Sequence, residues 1–312
     1  MQKECSRILQ EVEKVIKGKE QEKKLILAAI LAKGHILLDD IPGVGKTTLT
    51  MAFSRAMQLE ANRMQFTSDV LPSDVLGFQM IYPDGDDQEY LTYSKSHNYV
   101  LSQKFNSDKP ELVADQLSKV STEGTEGRDF KGQGVAYPAP EPFVVMATQN
   151  PVGFVGTQLL PESQVDRFMI CLTLGYPSHE EEILLLQERQ GENPLQRVES
   201  VVSVDELLAM QQQVKCVHVD EKIYDYMVTL SEQTRNHPML SLGMSPRGTV
   251  ALMEISKAIA FMNERTCVFP EDVICAFPFI AKHRIYLTAK AKVENHMKNE
   301  VVEEILAKVK IR

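Results

Sequence analysis

The chain has 312 residues, of which 43% are apolar and 25% charged, and its formal net charge is −9. This is enough chain for two packed domains, and the composition is not that of a disordered polymer. The acidic balance argues against holding nucleic acid by charge alone, and the longest aliphatic run, Leu25 to Ala32, is too short to span a bilayer.

Met1 to Lys17 is charged and has no apolar signal core, which points to a cytoplasmic protein. The cysteines (Cys5, Cys171, Cys216, Cys267 and Cys275) are odd in number with no C-x-x-C spacing, and are read as reduced, mostly buried thiols. Glu20 to Ala32 carries apolar residues at helical spacing (Leu25, Ile26, Ala29, Ile30), and Gly34 stops it. His35 to Asp39 reads as a buried strand, Asp40 to Thr47 as a glycine-containing turn, and Thr48 to Gln58 as a helix. Asn98 to Ser102 and Phe143 to Thr148 are further strands, the second of the kind buried in a parallel sheet. Thr122 to Gly134 is rich in glycine and charge and reads as an exposed hairpin or loop.

After Gly175-Tyr-Pro-Ser178 the pattern changes to helical periodicity, with no convincing buried strand up to Leu287. Val204 to Val214, Glu221 to Arg235 and Gly248 to Asn263 are examples, and Pro246 stands where a helix start tolerates proline. Val293 to Val309 reads as an amphipathic surface helix. The expectation is a parallel α/β domain over residues 1–178 and an all-helical domain over 179–312, with no internal repeat.

Asp40-Ile-Pro-Gly-Val-Gly-Lys-Thr47 matches a P-loop at its informative end, between a strand and a helix. Gly43 and Gly45 let the backbone turn its N–H groups toward phosphates at the positive end of the next helix. Lys46 supplies a charge to the β- and γ-phosphates, and the Thr47 hydroxyl is placed to ligate Mg²⁺. The predicted ATP site is Pro42, Gly43, Val44, Gly45, Lys46, Thr47 and Thr48. It departs from the pattern at its first position, which is Asp40 instead of glycine.

His35 to Thr47 resembles the MoxR branch of the AAA+ ATPases, where an acidic residue at the position of Asp40 is common. Gln65 to Asp74 resembles the segment after that family's second strand, Pro142 to Pro151 its sensor 1 strand, and Leu160 to Phe168 its arginine-finger segment. Gly243-Met-Ser-Pro-Arg247 resembles its sensor 2, while Pro270-Glu-Asp-Val273 and His283-Arg284 recur near the end of its helical lid. The resemblance implies a P-loop AAA+ core followed by a lid. It implies that Asn150 touches the γ-phosphate or orients the attacking water. Arg167 would act on a neighbouring subunit's nucleotide, and Arg247 would reach back to the γ-phosphate. Gly18 would lie against the adenine. A homo-hexameric ring, a von Willebrand factor A domain partner, a protein client and chaperone-like remodelling are also implied.

The resemblance fails at one strand end. The family's Walker B strand closes with Asp and Glu, followed by Ile-Asn, and the matching stretch here is Asn98-Tyr-Val-Leu-Ser-Gln-Lys-Phe-Asn106. That puts Gln103 and Lys104 in place of the two carboxylates. Gln103 brings no charge to a metal, and a protonated Lys104 cannot serve as a base and repels Mg²⁺. A rival frame makes Asp108 the metal carboxylate, but Lys104 to Ser107 does not read as a strand; Glu111 could also approach from the loop. Three functions follow: an ATP-hydrolysing remodeller, a nucleotide-gated scaffold with little or no turnover, and a DNA-acting AAA+ protein, which the acidic balance disfavours.

Overall fold

The computed structural model describes residues 2–61, 63–67, 79–80, 91–92, 100–106, 129–132, 135–138, 141–149, 160–188 and 193–311. Its centre is a parallel sheet. β1 (Ile36–Asp39) follows two helices, α1 (Gln2–Glu13) and α2 (Glu20–Leu31), and leads through the glycine loop into α3 (Lys46–Ala56). β2 (Arg63–Thr67), β5 (Val100–Asn106), β8 (Val144–Gln149) and β9 (Ile170–Leu172) complete the sheet in the order β2-β5-β8-β1-β9. Every pairing in it is parallel. All six residues of β8 are buried, as a strand covered on both faces requires. β1 therefore ends between two neighbours, and its loop emerges at the carboxyl edge, where ligands of such sheets bind.

Outside this sheet, β3 (Gln79–Met80) pairs with β4 (Leu91–Thr92), and β6 (Asp129–Gly132) with β7 (Val135–Pro138), both antiparallel. The second ribbon overlaps the end of the hairpin or loop expected over Thr122 to Gly134, of which Thr122 to Arg128, Gln133 and Gly134 lie outside the described residues.

β5 differs from the strand expected over Asn98 to Ser102. It continues through Gln103, Lys104 and Phe105 to Asn106, with Gln103 opposite Ala147 and Lys104 opposite Thr148. Of Lys104 to Ser107, expected to form no strand, the first three therefore belong to β5 and Ser107 lies outside the described residues. Asp108 and Glu111 themselves lie outside the described residues. Two charged or amide residues interrupt the apolar run, but ladder pairing on both sides, with β2 and β8, holds the backbone extended.

The second half begins after the short α4 (Glu162–Val165) and β9. It contains α5 (His179–Glu188), α6 (Val204–Lys215), α7 (Glu221–Arg235), α8 (Pro246–Met262), α9 (Pro270–Ala281), α10 (Ala289–Val293) and α11 (Lys298–Lys308). Local chemistry sets the starts. Ser203 and Glu206 form a capping box on α6, Asp220 caps α7, and Ser245 caps α8 ahead of Pro246 at the first helical position. A two-stranded ribbon, β10 (Leu240–Leu242) with β11 (Tyr286–Leu287), interrupts this helical region. It is too short to leave a periodic signal. The expected helix over Val293 to Val309 is also divided: the backbone turns through Asn295 at φ 58°, and α11 begins at Lys298.

α2 buries Leu25 through Leu31 without interruption. Its spacing predicts one apolar face, but α1 and the lid helices α6 and α8 pack around it, so every side is covered. Gln211 of α6, itself buried, donates Nε2–H to the Ile30 carbonyl (2.8 Å) and satisfies an acceptor at the end of α2. The five cysteines are free, but only Cys5 is fully buried and Cys216 is exposed, which corrects the expectation of mostly buried thiols.

Candidate functional site

The glycine loop has the backbone that its sequence calls for. Gly43 has φ +92° and Gly45 φ +87°, both in the left-handed region. A side chain at Gly43 would meet nothing within 4 Å, so dihedral freedom and not crowding is what glycine supplies there. Gly45 is the N-cap of α3, whose first turn carries Lys46, Thr47 and Thr48. The positive end of the helix faces the loop.

Lys46 is buried and folded back on the loop. Its Nζ donates to the carbonyls of Asp40, Ile41 (3.1 Å) and Gln149 (3.4 Å). The ammonium thus bridges the start of the loop and the end of β8, next to Asn150, which lies outside the described residues. Asp39, the last residue of β1, has its pKa raised by burial, with the charge of Lys46 pulling the other way.

Asp40, the departure from the P-loop pattern, has a structural reason. Its Oδ1 accepts the N–H of Ile41 (2.7 Å), and its Oδ2 accepts those of Leu174 (2.5 Å) and Gly175 (2.7 Å). Only 3% of the residue is exposed. A carboxylate at this point ties the loop to the segment that leads out of β9, which glycine could not do.

Beside the loop lies a cavity of about 450 Å³. Its walls include Val15, Ile16, Val44, Leu185 and Leu195, together with Lys17, Lys19 and Glu181. Gly18, between the lining residues Lys17 and Lys19 but not itself in the lining, has φ +64°, and Lys19 follows at φ 55°. The turn is held in place from two sides: Lys19 Nζ donates to the Tyr176 carbonyl (3.1 Å), and Lys23, whose side chain is 1% exposed, pairs with Glu13 and Glu20 (3.0 Å). Burial lowers the Lys23 pKa to about 8, and the charge of Glu181 opposes that shift. The cavity and the left-handed loop fit a nucleotide, with its base in the apolar pocket and its phosphates over Gly43 to Thr48. One threonine hydroxyl also fits the sparse protein ligation typical of Mg²⁺ at phosphates.

Of the two expected arginines, Arg247 lies elsewhere, at Asp166, a residue without an assigned role in the sequence. Asp166 accepts hydrogen bonds from Ser245 Oγ (2.8 Å) and Arg284 Nε (2.8 Å), and Arg247 Nη1 lies 3.7 Å from its Oδ2. Arg167 is the next residue. Arg284 is buried and also donates to the carbonyls of Asp166, Phe168, Met169 and Ile280, while His283 bonds the Phe168 carbonyl (3.2 Å). Arg247 does not line the cavity. The His283-Arg284 pair is thus the seam between lid and core. Pro270-Glu-Asp-Val273 is architectural as well: Asp272 caps α9 through the Phe269 N–H (2.8 Å) and takes a two-pronged grip from Arg265.

Residues 35–170 match the family described as "ATPase family associated with various cellular activities (AAA)", and residues 232–305 match the AAA lid domain. The protein YeaC of Bacillus subtilis is 38% identical over 97% of this chain and 93% of its own length. The chain belongs to the MoxR family of AAA+ ATPases. A Mycobacterium tuberculosis relative named Chaperone MoxR1 is 32% identical over 97% of this chain and 81% of its own. The crystal structure of a candidate ATPase from Cytophaga hutchinsonii superposes with a TM-score of 0.88 at 31% identity, covering 100% of this chain and 96% of that one. The MoxR assignment explains why the loop, the sensor 2 segment and the lid motifs occur in one order on a parallel sheet with a helical lid. Among the described residues no helix is long and apolar enough to cross a membrane.

Proposed function

We propose that this MoxR protein binds ATP with Mg²⁺ through Gly43 to Thr48, with Gly18 against the base, and uses the nucleotide to remodel or mature other proteins. The observation that carries the reading is the paired left-handed glycines in front of α3, set beside a cavity of about 450 Å³ with several apolar walls. Lys46 exchanges backbone carbonyls for phosphate oxygens, Thr47 contributes its hydroxyl to Mg²⁺, and Asn150 orients water. Arg167 works across a subunit boundary in a homo-hexameric ring, and Arg247 links lid position to nucleotide state. Bound Mg²⁺ would neutralise charge on the transferring phosphoryl group. The cytoplasm is the proposed compartment, and a von Willebrand factor A domain protein the proposed partner.

A second reading is favoured by β5. On the resemblance, Gln103 and Lys104 replace the family's two carboxylates, and β5 pairs them with Ala147 and Thr148 of the buried strand β8. On this reading the chain is a nucleotide-gated scaffold that binds ATP and hydrolyses it poorly. Steady-state phosphate release with Mg²⁺ decides between the two. Turnover that disappears in Lys46→Ala makes the chain an ATPase and removes the scaffold. For a scaffold, the wild type releases phosphate at background rate, and Gln103→Asp with Lys104→Glu raises the rate at least tenfold. DNA that neither binds at low salt nor stimulates phosphate release disposes of the DNA-acting alternative.

A further inference from the structure

Glu181 is the one carboxylate lining the cavity among the described residues. It stands on the first turn of α5, where the N–H of Ser178 donates to its Oε2 (2.8 Å). Its Oε1 lies against Gly18, so close that a Cβ there would stand 1.6 Å from it. Gly18 therefore answers two needs: the turn requires a left-handed φ, and the carboxylate occupies the space a side chain would take. The buried ammonium of Lys23 lies near enough to feel its charge. The carboxylate is thus pinned by one oxygen and packed by the other on the rim where a base would enter. The walls offered by Ile16, Val44, Leu185 and Leu195 hold a flat ring without telling one ring from another, and of the polar side chains in the lining Lys19 is engaged by the Tyr176 carbonyl and Asn193 by the Leu195 N–H.

We propose that Glu181 determines base specificity: its Oε1 accepts a hydrogen bond from the amino group of adenine and rejects purines that present a carbonyl at that edge. The proposal rests on reading the cavity as the ATP site. An ionised carboxylate only accepts hydrogen bonds, so an amino edge satisfies it and a keto edge faces it with a second acceptor. Because Ser178 and Gly18 fix the group on two sides, it cannot slide to a neighbouring ring N–H. A glutamine in its place carries both a donor and an acceptor and loses the distinction.

The test is displacement of a fluorescent ADP from the full chain by ATP, ITP and 2′-deoxy-ATP. Wild type is expected to prefer ATP over ITP by about tenfold or more, the discrimination typical of a hydrogen bond to a charged group. Glu181→Gln, which keeps the size and the acceptor for Ser178, should bring ATP and ITP within about twofold without changing the thermal unfolding midpoint. Glu181→Asp, which retains the charge but withdraws it from the rim, should give an intermediate ratio. Equal wild-type affinity for ATP and ITP, or an unchanged ratio in Glu181→Gln, would overturn the assignment and leave the ATP site standing. A Glu181-dependent loss confined to 2′-deoxy-ATP would move the contact to the ribose and overturn it too. Failure of every nucleotide to bind wild type would overturn the ATP site and this assignment together.

Discussion

Gly45 holds φ +87° at the N-cap of α3, with the side chain of Ile16 3.5 Å from where a Cβ would be. Space is adequate, so Gly45→Ala acts through the dihedral, at about 1–2 kcal/mol. The expected outcome is a modest fall in unfolding free energy and a loss of ATP affinity of about tenfold or more, because the loop N–H groups turn away from the phosphates. Titration calorimetry beside urea denaturation separates the two effects. His283 carries a pH dependence. Burial, reinforced by the charges of Arg284 and Lys298, drives its pKa well below the usual histidine range, so the ring is neutral in the fold. Unfolding releases it to take up a proton below about pH 6.5, so the unfolded state binds more protons there and stability falls as pH drops. The contribution is complete above that value. Unfolding midpoints measured from about pH 7.5 down to about pH 5 should fall less steeply in His283→Gln, whose amide can still donate to the Phe168 carbonyl. Two of the thiols are quiet by comparison: burial pushes Cys5 and Cys171 up to about 12, out of reach as nucleophiles.

At the scale of elements, Asp166 fastens the α4–β9 connection to two parts of the lid, the start of α8 through Ser245 and the end of α9 through Arg284. The Arg284 side chain is 1% exposed, so Asp166→Ala leaves a buried cation without its carboxylate, at a cost of about 3–5 kcal/mol. Denaturation should report that loss, and hydrogen exchange should localise it to α8 and α9. In Asp166→Ala combined with Arg284→Met the total should be well below the sum of the single changes. A total equal to the sum would mean that the two side chains do not act as a pair. The clamp was invisible in the sequence because its members lie 118 residues apart, in segments that each look complete. The continuous burial of α2 was hidden for a related reason. Its spacing suggests a single apolar face, and only the lid packing back over the N-terminus supplies the second. The loop was legible because its chemistry is local, with strand, glycines, lysine and helix adjoining in a run of about one dozen residues.

For the whole molecule, the cavity is bounded by parts of the chain far apart in sequence: the turn around Gly18, the phosphate loop, the exit from β9, and the stretch from Asn193 to Leu195. Nucleotide that binds this native arrangement and not the unfolded chain stabilises it by mass action, by about 2.7 kcal/mol at a hundred times Kd. Thermal unfolding should therefore shift upward with ATP in the wild type and stay in place in Lys46→Ala. A shift that survives in Lys46→Ala would mean that the nucleotide binds elsewhere. The plan of a parallel sheet followed by helices was readable because the buried strands stand out as short apolar runs while the helices keep a period of 3.6. The ends of β5 were not, because polar residues inside it carry no period and only pairing with β2 and β8 extends it to Asn106.

Asp40 gives the phosphate loop a mechanical connection. One oxygen of its carboxylate grips two consecutive amides, Leu174 and Gly175, at the point where the chain leaves the sheet for the lid. A tightening of the loop would be expected to pull on that exit through these two bonds, like a tendon crossing a joint. Asp40→Gly would restore the P-loop spelling and cut the tendon. The residue that departs from the motif is the one whose carboxylate joins the loop to the exit from β9.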